Sequence, residues 1–342
     1  MPPMSIFRHS PLGNTIYDTK WVLGILESRN EDWNRTYGNH KIEKIQVATI
    51  GSGTGFLSKV FRVTFFFGNP TIEPYSVVAK FTFPLKNRCP ARPVSLSDCP
   101  ELIVAAHKRE CDFYDMKIDF LPLPKMFLAQ RFSENRTIPG VLLMESINDA
   151  VSVPVYDTYN IAKVLVIVEQ LARLHAFSLT FSKDDLKKFR PVAGIDKLFS
   201  SRIRTGVKGV ITKYPNLAKL LRPILHFVNS LDFVDYSLEG VNEAFGLPPV
   251  LVHGDLWNNN ILWKRAEDGR PTSQLRAIID WHMCHIGCIV DDLCNVITVS
   301  CDKKVREEAE RQVFYIYYQR LVKEAQKRRV KVIFSMDKDK LQ

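Results

Sequence analysis

Apolar positions along this chain follow two different periods, and the change from one to the other divides it. Residues 45–50, 60–67 and 75–83 are short runs rich in β-branched and aromatic side chains, which is strand composition, and shorter apolar runs follow at 125–129 and 141–144. Ahead of them, residues 19–28 carry helical spacing at Val22, Leu23, Ile25 and Leu26, ending in a polar stretch through Tyr37 and Gly38. Beyond residue 145 the helical period dominates. Residues 159–177 place Val164, Leu165, Ile167, Val168, Leu171 and Leu174 on one face, which predicts a buried helix. Residues 182–246 read as mostly helical, broken at Pro191, Pro215 and Pro223, and further helices are expected over 290–299 and 303–327. Only residues 261–263 and 275–280 interrupt this pattern, flanking a polar turn as a hairpin. The expectation is an α+β chain of two lobes. An N-terminal lobe over 1–145 has a small antiparallel sheet, and a larger, mainly helical C-terminal lobe covers 146–342.

The chemistry sits where these elements meet. A short apolar run at 250–252 delivers His253, Gly254 and Asp255 into a loop, with Asn260 five residues on and Asp280 at the end of a later strand. In phosphoryl transfer by kinases, one aspartate engages the acceptor hydroxyl, while an asparagine of the same loop and an aspartate after a later strand hold magnesium. Asp255, Asn260 and Asp280 fit those three roles, and hard oxygen donors suit that metal. Upstream, Gly51, Ser52, Gly53, Thr54 and Gly55 join two strands in a turn whose backbone can approach phosphates closely. Neither the strand-then-helix setting of a dinucleotide fold nor the terminal Gly-Lys of a P-loop accompanies it. Lys80 lies within an otherwise apolar strand and must pair with or bind something anionic, making it the candidate for the nucleotide phosphates. Glu110, in a helix expected over 101–117, is the first choice to pair with Lys80. Glu101 is the alternative, though at a helix N-terminus the dipole alone would favour it. Residues 144–146, with Glu145 at the centre, read as the hinge whose backbone meets adenine.

Composition narrows the class further. The 342 residues include 46% hydrophobic side chains, enough for a sizeable core, and 47 basic against 37 acidic residues give a net charge of +10. That charge raises nucleic acid as a partner, but the densest basic run, 327–331, adjoins a helix carrying Glu307, Glu308, Glu310 and Glu324 and reads as a solvated face. No nucleic-acid partner is expected. Seven cysteines in no framework spacing, with no signal-peptide pattern, imply a reducing, cytoplasmic setting, and no apolar run is long enough to span a bilayer, so no membrane partner is expected. His282, Cys284, His285 and Cys288 crowd one short segment. Structural zinc usually draws ligand pairs from separated segments, so these are expected to pack around the loop instead. His175, at the end of a buried helix, reads as a hydrogen-bonded core histidine rather than a catalytic one.

With these parts in view the chain resembles the choline-kinase-like (CHK) branch of the aminoglycoside phosphotransferase superfamily, in particular the ecdysteroid-kinase-like group abundant in insects and nematodes. The resemblance rests on IGSGTGFLSKV (50–60), VVAKF (77–81), ECDFYD (110–115), LARLHAFS (171–178), HGDLWNNNILW (253–263) and AIIDW (277–281). It implies a bilobal protein-kinase-like fold, ATP and Mg2+ as cofactors, and phosphorylation of a hydroxyl on a small molecule. It also implies Lys80 and Glu110 as an ion pair, Asp255 as catalytic aspartate, and Asn260 and Asp280 as metal ligands. Asp292 matches a structural aspartate of the family, with Asp291 beside it as the other register. A protein kinase fits less well: Gly254 replaces the arginine of HRD and Trp281 the phenylalanine of DFG. Two departures stand out. Residues 285–290 replace a passage usually rich in glycine and proline, and the chain ends at Gln342, earlier than the family pattern leads one to expect. From that end, an uncovered apolar face on the helix at 303–327, carrying Val313, Ile316, Tyr317, Leu321 and Ala325, is expected, with lowered stability or self-association through it. A catalytically impaired pseudokinase or small-molecule-binding protein is the alternative reading.

Overall fold

A capping residue sets the first turn of the architecture. In the computed structural model, which describes residues 10–50, 58–83, 100–192, 195–230, 232–233 and 236–335, Asp18 accepts a hydrogen bond from the Trp21 N–H at 2.8 Å and starts α1 (Thr19–Arg29). Asn30 then serves two helices. Its N–H closes α1 on the Leu26 carbonyl at 2.9 Å, and its side chain accepts from the Trp33 N–H at 3.3 Å to open α2 (Glu31–Thr36). The sequence pattern reads this passage only as a polar stretch. It is helical because Glu31 and Asp32 favour the positive end of a helix and Trp33 anchors it, buried against Phe65 and Tyr75 at ring distances of 5.0 and 5.1 Å.

Five strands follow within the same unit: β1 (Ile42–Ile50), β2 (Ser58–Phe67), β3 (Tyr75–Thr82), β4 (Met126–Gln130) and β5 (Gly140–Glu145), in the order β1-β2-β3-β5-β4 and antiparallel at every pairing. The period of two buries Phe61, Val63, Phe65 and Phe67 of β2 on one face, where Leu26 and Val22 of α1 and Val77, Ala79 and Phe81 of β3 complete the core. Register places Lys80 opposite Val60 on one side and Leu142 on the other. This smaller unit takes the described residues as far as Phe83 together with 114–117 and 124–148.

The larger unit takes 100–113, 118–123 and 149–335. Its elements are α3 (Pro100–Tyr114), β6 (Ala150–Val151), α4 (Ile161–Ser178), α5 (Lys183–Lys188), α6 (Ile195–Lys213), α7 (Ala218–Val228), α8 (Val241–Phe245), β7 (Val250–Val252), β8 (Ile261–Arg265), β9 (Pro271–Ile278), β10 (His285–Gly287), α9 (Asp291–Val299) and α10 (Lys303–Lys327). Two small antiparallel sheets, β10-β7 and β6-β8-β9, carry the loops of interest. The chain is thus α+β, with an antiparallel sheet in one unit and mostly helices in the other.

The unit's central packing is α4 against α10. Asn160 caps α4 by accepting from the Lys163 N–H, and Asp302 caps α10 by accepting from the Val305 N–H. Val164, Ile167, Val168 and Leu171 of α4 are buried, and so are Val313, Tyr317, Leu321 and Ala325 of α10, each at 0% exposure. This corrects the expectation of an uncovered face on α10. The helix at 161–178 lies over that stripe, only Ile316 of the five stays half-exposed, and the stated reason for self-association through α10 falls away. His175 and Tyr317 join the two helices through a 2.6 Å hydrogen bond in the core. Burial depresses the imidazole pKa to about 3, so His175 is neutral, as a core histidine must be.

Candidate active site

Strand β7 is buried along its whole length and ends at His253, which turns the chain into the loop carrying Asp255. Gly254 makes that turn possible. Its φ is +78°, and a Cβ there would stand 2.5 Å from the Met283 carbonyl and 2.9 Å from His285 Nδ1, so any side chain collides with backbone. Asp292, at the start of α9 and 1% exposed, grips the turn by accepting the His253 N–H at 2.7 Å and the Gly254 N–H at 3.0 Å. Its burial raises the carboxyl pKa to about 7. Of the two registers open in the sequence, Asp292 is the one that holds the loop. Asp291 instead accepts from the Cys288 N–H at 2.9 Å, and burial raises it to about 6. Asn295, one turn further along α9, donates to the Leu256 carbonyl at 3.0 Å.

The second loop is bound to the first by the hairpin β8–β9 and by His253. The imidazole Nε2 donates to the Ile279 carbonyl at 3.0 Å, and Nδ1 accepts from the Asp255 N–H at 3.3 Å. The Ile279 N–H donates to the Asn260 carbonyl at 2.9 Å. Asn260, 5% exposed, turns its amide nitrogen on Asp255, 2.8 Å from the carbonyl and 3.1 Å from Oδ2. Its Oδ1 therefore faces away from Asp255. Asp280 adopts left-handed backbone, φ +70° and ψ +55°, which aspartate tolerates better than most residues, and its Oδ1 hydrogen bonds His282 Nδ1 at 2.8 Å. Asp255, Asn260 and Asp280 are thereby gathered at one place. Burial raises the Asp255 pKa; His282 opposes the shift and the neighbouring charge of Asp280 adds to it.

These two loops fit a hard divalent cation. The donor set is carboxylate and amide oxygen, the kind such a cation takes. The residues that follow Asp280 are engaged otherwise. Trp281 is buried, stacks on Phe113 of α3 at 3.8 Å and 8°, and donates to the Ile278 carbonyl. His285 Nδ1 bonds the Met283 carbonyl, and the buried Cys284 and Cys288 have their thiol pKa values pushed up. Residues 285–287, whose shape the sequence left open, form a strand paired with β7.

Sequence reasoning named His253 and Trp281 without a role and missed Arg109. From α3, Arg109 donates to the Cys284 carbonyl at 2.9 Å and the Arg190 carbonyl at 2.5 Å, fastening the loop after Asp280 to the segment after α5. An arginine at the apolar side of a helix that also carries Glu110 and Phe113 was the available signal. Arg109, His282, Met283 and Gly254 line a cavity of about 300 Å3 within the larger unit, to which Pro191, Val192 and Ser237 contribute. Its size is at the lower end for small-molecule sites.

The remaining expected site residues lie on other elements. Glu110 is buried on α3, where its charge reaches Cys284. Lys80 is half-buried on β3 and Glu145 closes β5, both in the smaller unit. Gly51, Ser52, Gly53, Thr54 and Gly55 lie outside the described residues.

Comparison with known proteins adds three findings. A family model described as "DUF1679: Uncharacterized oxidoreductase dhs-27" matches residues 89–341. The protein from Caenorhabditis elegans named "Uncharacterized oxidoreductase dhs-27" is 27% identical over 323 residues, covering 91% of this chain, and "Uncharacterized kinase-like protein D1044.1" of the same organism is 21% identical over 208 residues, covering 60%. The chain spans 38% and 53% of the length of these two relatives. Among solved structures, a spectinomycin phosphotransferase in complex with ADP and spectinomycin is similar at 14% identity and a TM-score of 0.43, over 91% of this chain and 84% of that one.

Proposed function

The chain belongs to the DUF1679 family, and from the paired loops that its matched residues build we propose an ATP- and Mg2+-dependent phosphotransferase acting on a hydroxyl of a small molecule. One observation carries the reading: Asp255 and Asn260 of one loop and Asp280, twenty residues on in a second, converge through loops tied to each other by Asn260 and His253. Lys80 and Glu110 as the phosphate-positioning pair, residues 51–55 as the phosphate loop, and Glu145 as the adenine contact belong to the same proposal, as do lobes over 1–145 and 146–342. So does placement in the choline-kinase-like, ecdysteroid-kinase-like branch. A reducing, cytoplasmic setting, read from cysteine spacing in the sequence, belongs to the same proposal.

Each residue's part follows from its position. Asp255 takes the proton of the acceptor hydroxyl as its oxygen bonds to the γ-phosphorus and the bond to the bridging oxygen of ADP breaks. A buried carboxylate with a raised pKa is a better base than one in water. Asn260 orients Asp255 through its amide nitrogen and, with Asp280, would hold the metal. Bound there, magnesium would neutralise charge on the phosphate oxygens. His253, Asp292 and Arg109 hold the loops in register.

An oxidoreductase reading is suggested by the name of a relative more than twice this length, but the strand pairings speak against it. All pairings between the strands described are antiparallel, whereas dinucleotide binding of the Rossmann type uses a parallel sheet. The other relative's name, kinase-like, agrees with phosphoryl transfer. Incubating the purified protein with ATP, Mg2+ and a metabolite extract, then reading products by mass spectrometry, should reveal one small molecule heavier by a phosphoryl group. ATP that neither binds nor turns over with any extract would overturn the proposal.

A further inference from the structure

Residues 200–230 hold six basic side chains, Arg202, Arg204, Lys208, Lys213, Lys219 and Arg222, and no acidic one. They lie on α6 and α7, a helical hairpin in the larger unit in which, among the described residues of that stretch, only Ser200 is buried. The apolar residues are nevertheless in order. Ile203 and Val210 of α6 and Tyr214, the residue just after it, recur at the spacing of one face, and on α7 Leu220, Ile224 and Phe227 do the same; all six are between 39% and 71% exposed. At 100° per residue, Arg202 and Lys213 fall on one side of the α6 stripe and Arg204 and Lys208 on the other. A core-facing helix would bury its stripe. This pair exposes it, with positive charge on both sides of the α6 stripe and Lys219 beside that of α7, Arg222 lying on the opposite side.

We propose that the α6–α7 hairpin is a docking surface for an anionic phospholipid bilayer, lying in the interface with its apolar stripe among acyl chains and its lysines and arginines at the headgroups. Charge complementarity selects this occupant. Six cations with no acid between residues 200 and 230 attract anionic lipid, and long basic side chains beside an apolar stripe reach phosphate while their stems stay in apolar contact. Nucleic acid would use the cations but leaves leucine and isoleucine without a role. A second copy of the hairpin would bring like charges together. No helix among the described residues is long and apolar enough to cross a membrane, so the contact lies on the surface. The proposal is independent of the phosphotransferase reading and of the residues at 253–292.

The test is flotation of the full chain with vesicles of phosphatidylcholine alone and of phosphatidylcholine with phosphatidylserine. Binding is expected only to the second, and it should weaken as salt is raised. Lys213→Gln and Lys219→Gln should each lower partitioning about fivefold, and Leu220→Ser with Phe227→Ser should abolish it. These side chains are exposed, so unchanged circular dichroism and melting will separate loss of docking from loss of fold. Absence of binding to either vesicle, binding unchanged in the Leu220→Ser, Phe227→Ser variant, binding to RNA alone, or a salt-insensitive dimer that Leu220→Ser dissolves would each overturn it.

Discussion

Gly254 and Asp255 are adjacent, yet the chain constrains them for opposite reasons, one by space and one by charge. A methyl at Gly254 meets the Met283 carbonyl at 2.5 Å with φ already at +78°. Gly254→Ala is therefore expected to destabilise the protein by about 1–3 kcal/mol and to lower activity by shifting Asp255. Denaturant melts and steady-state rates on the one variant measure both, and a fully active, equally stable Gly254→Ala protein would contradict the geometry. Asp255→Asn keeps size and packing but removes the base. Turnover should fall about 100- to 10,000-fold with ATP affinity nearly unchanged. The pH profile adds a sign. Burial raises the Asp255 pKa above 3.8, and only the ionised form accepts a proton, so the acid limb of kcat should lie at higher pH than an exposed aspartate would give.

Among the elements, the seam of α4 and α10 ties stability to pH through His175. Its folded pKa of about 3 lies below the unfolded value near 6.5. Between those limits the unfolded chain binds the extra proton, so stability is full above 6.5 and declines as pH falls. The contribution is about 2 kcal/mol lost between pH 7 and pH 5. His175→Gln removes that titration. Its deficit relative to the unmodified protein at pH 7 should shrink by about this amount at pH 5, as read by urea unfolding. Identical pH dependence in the two proteins would mean that His175 is not held neutral in the fold. The same seam explains why the stripe on α10 needs no partner beyond its own chain.

For the whole molecule, the loops around Asp280 predict linkage between metal, nucleotide and stability. A ligand that binds only the folded protein at 100 times its Kd adds about 2.7 kcal/mol. Thermal melts with ATP should rise further when Mg2+ is present, and Asp280→Ala should remove the metal-dependent increment while leaving the rest. An ATP response indifferent to Mg2+ in the unmodified protein would remove Asp280 and Asn260 from a metal site.

Much of this was written in local patterns. Strand and helix periods, the caps at Asp18, Asn160 and Asp302, and the loop carrying Asp255 and Asn260 depend on neighbours in sequence, and so the chain by itself determined its α+β element types and the candidates for phosphoryl chemistry. The helix at Glu31–Thr36 escaped because a single residue, Asn30, closes one helix and opens the next, leaving no apolar period to see. What covers a face is a different kind of fact. Nothing near Val313 or Leu321 says that α4, about 150 residues earlier, packs on it, and nothing near Leu220 says that no core does. The roles of Arg109 and Asp292 were likewise decided only by tertiary structure, since each acts on backbone groups tens of residues away: a carbonyl or N–H looks the same in every sequence, and only the fold brings it within 3 Å of a particular side chain.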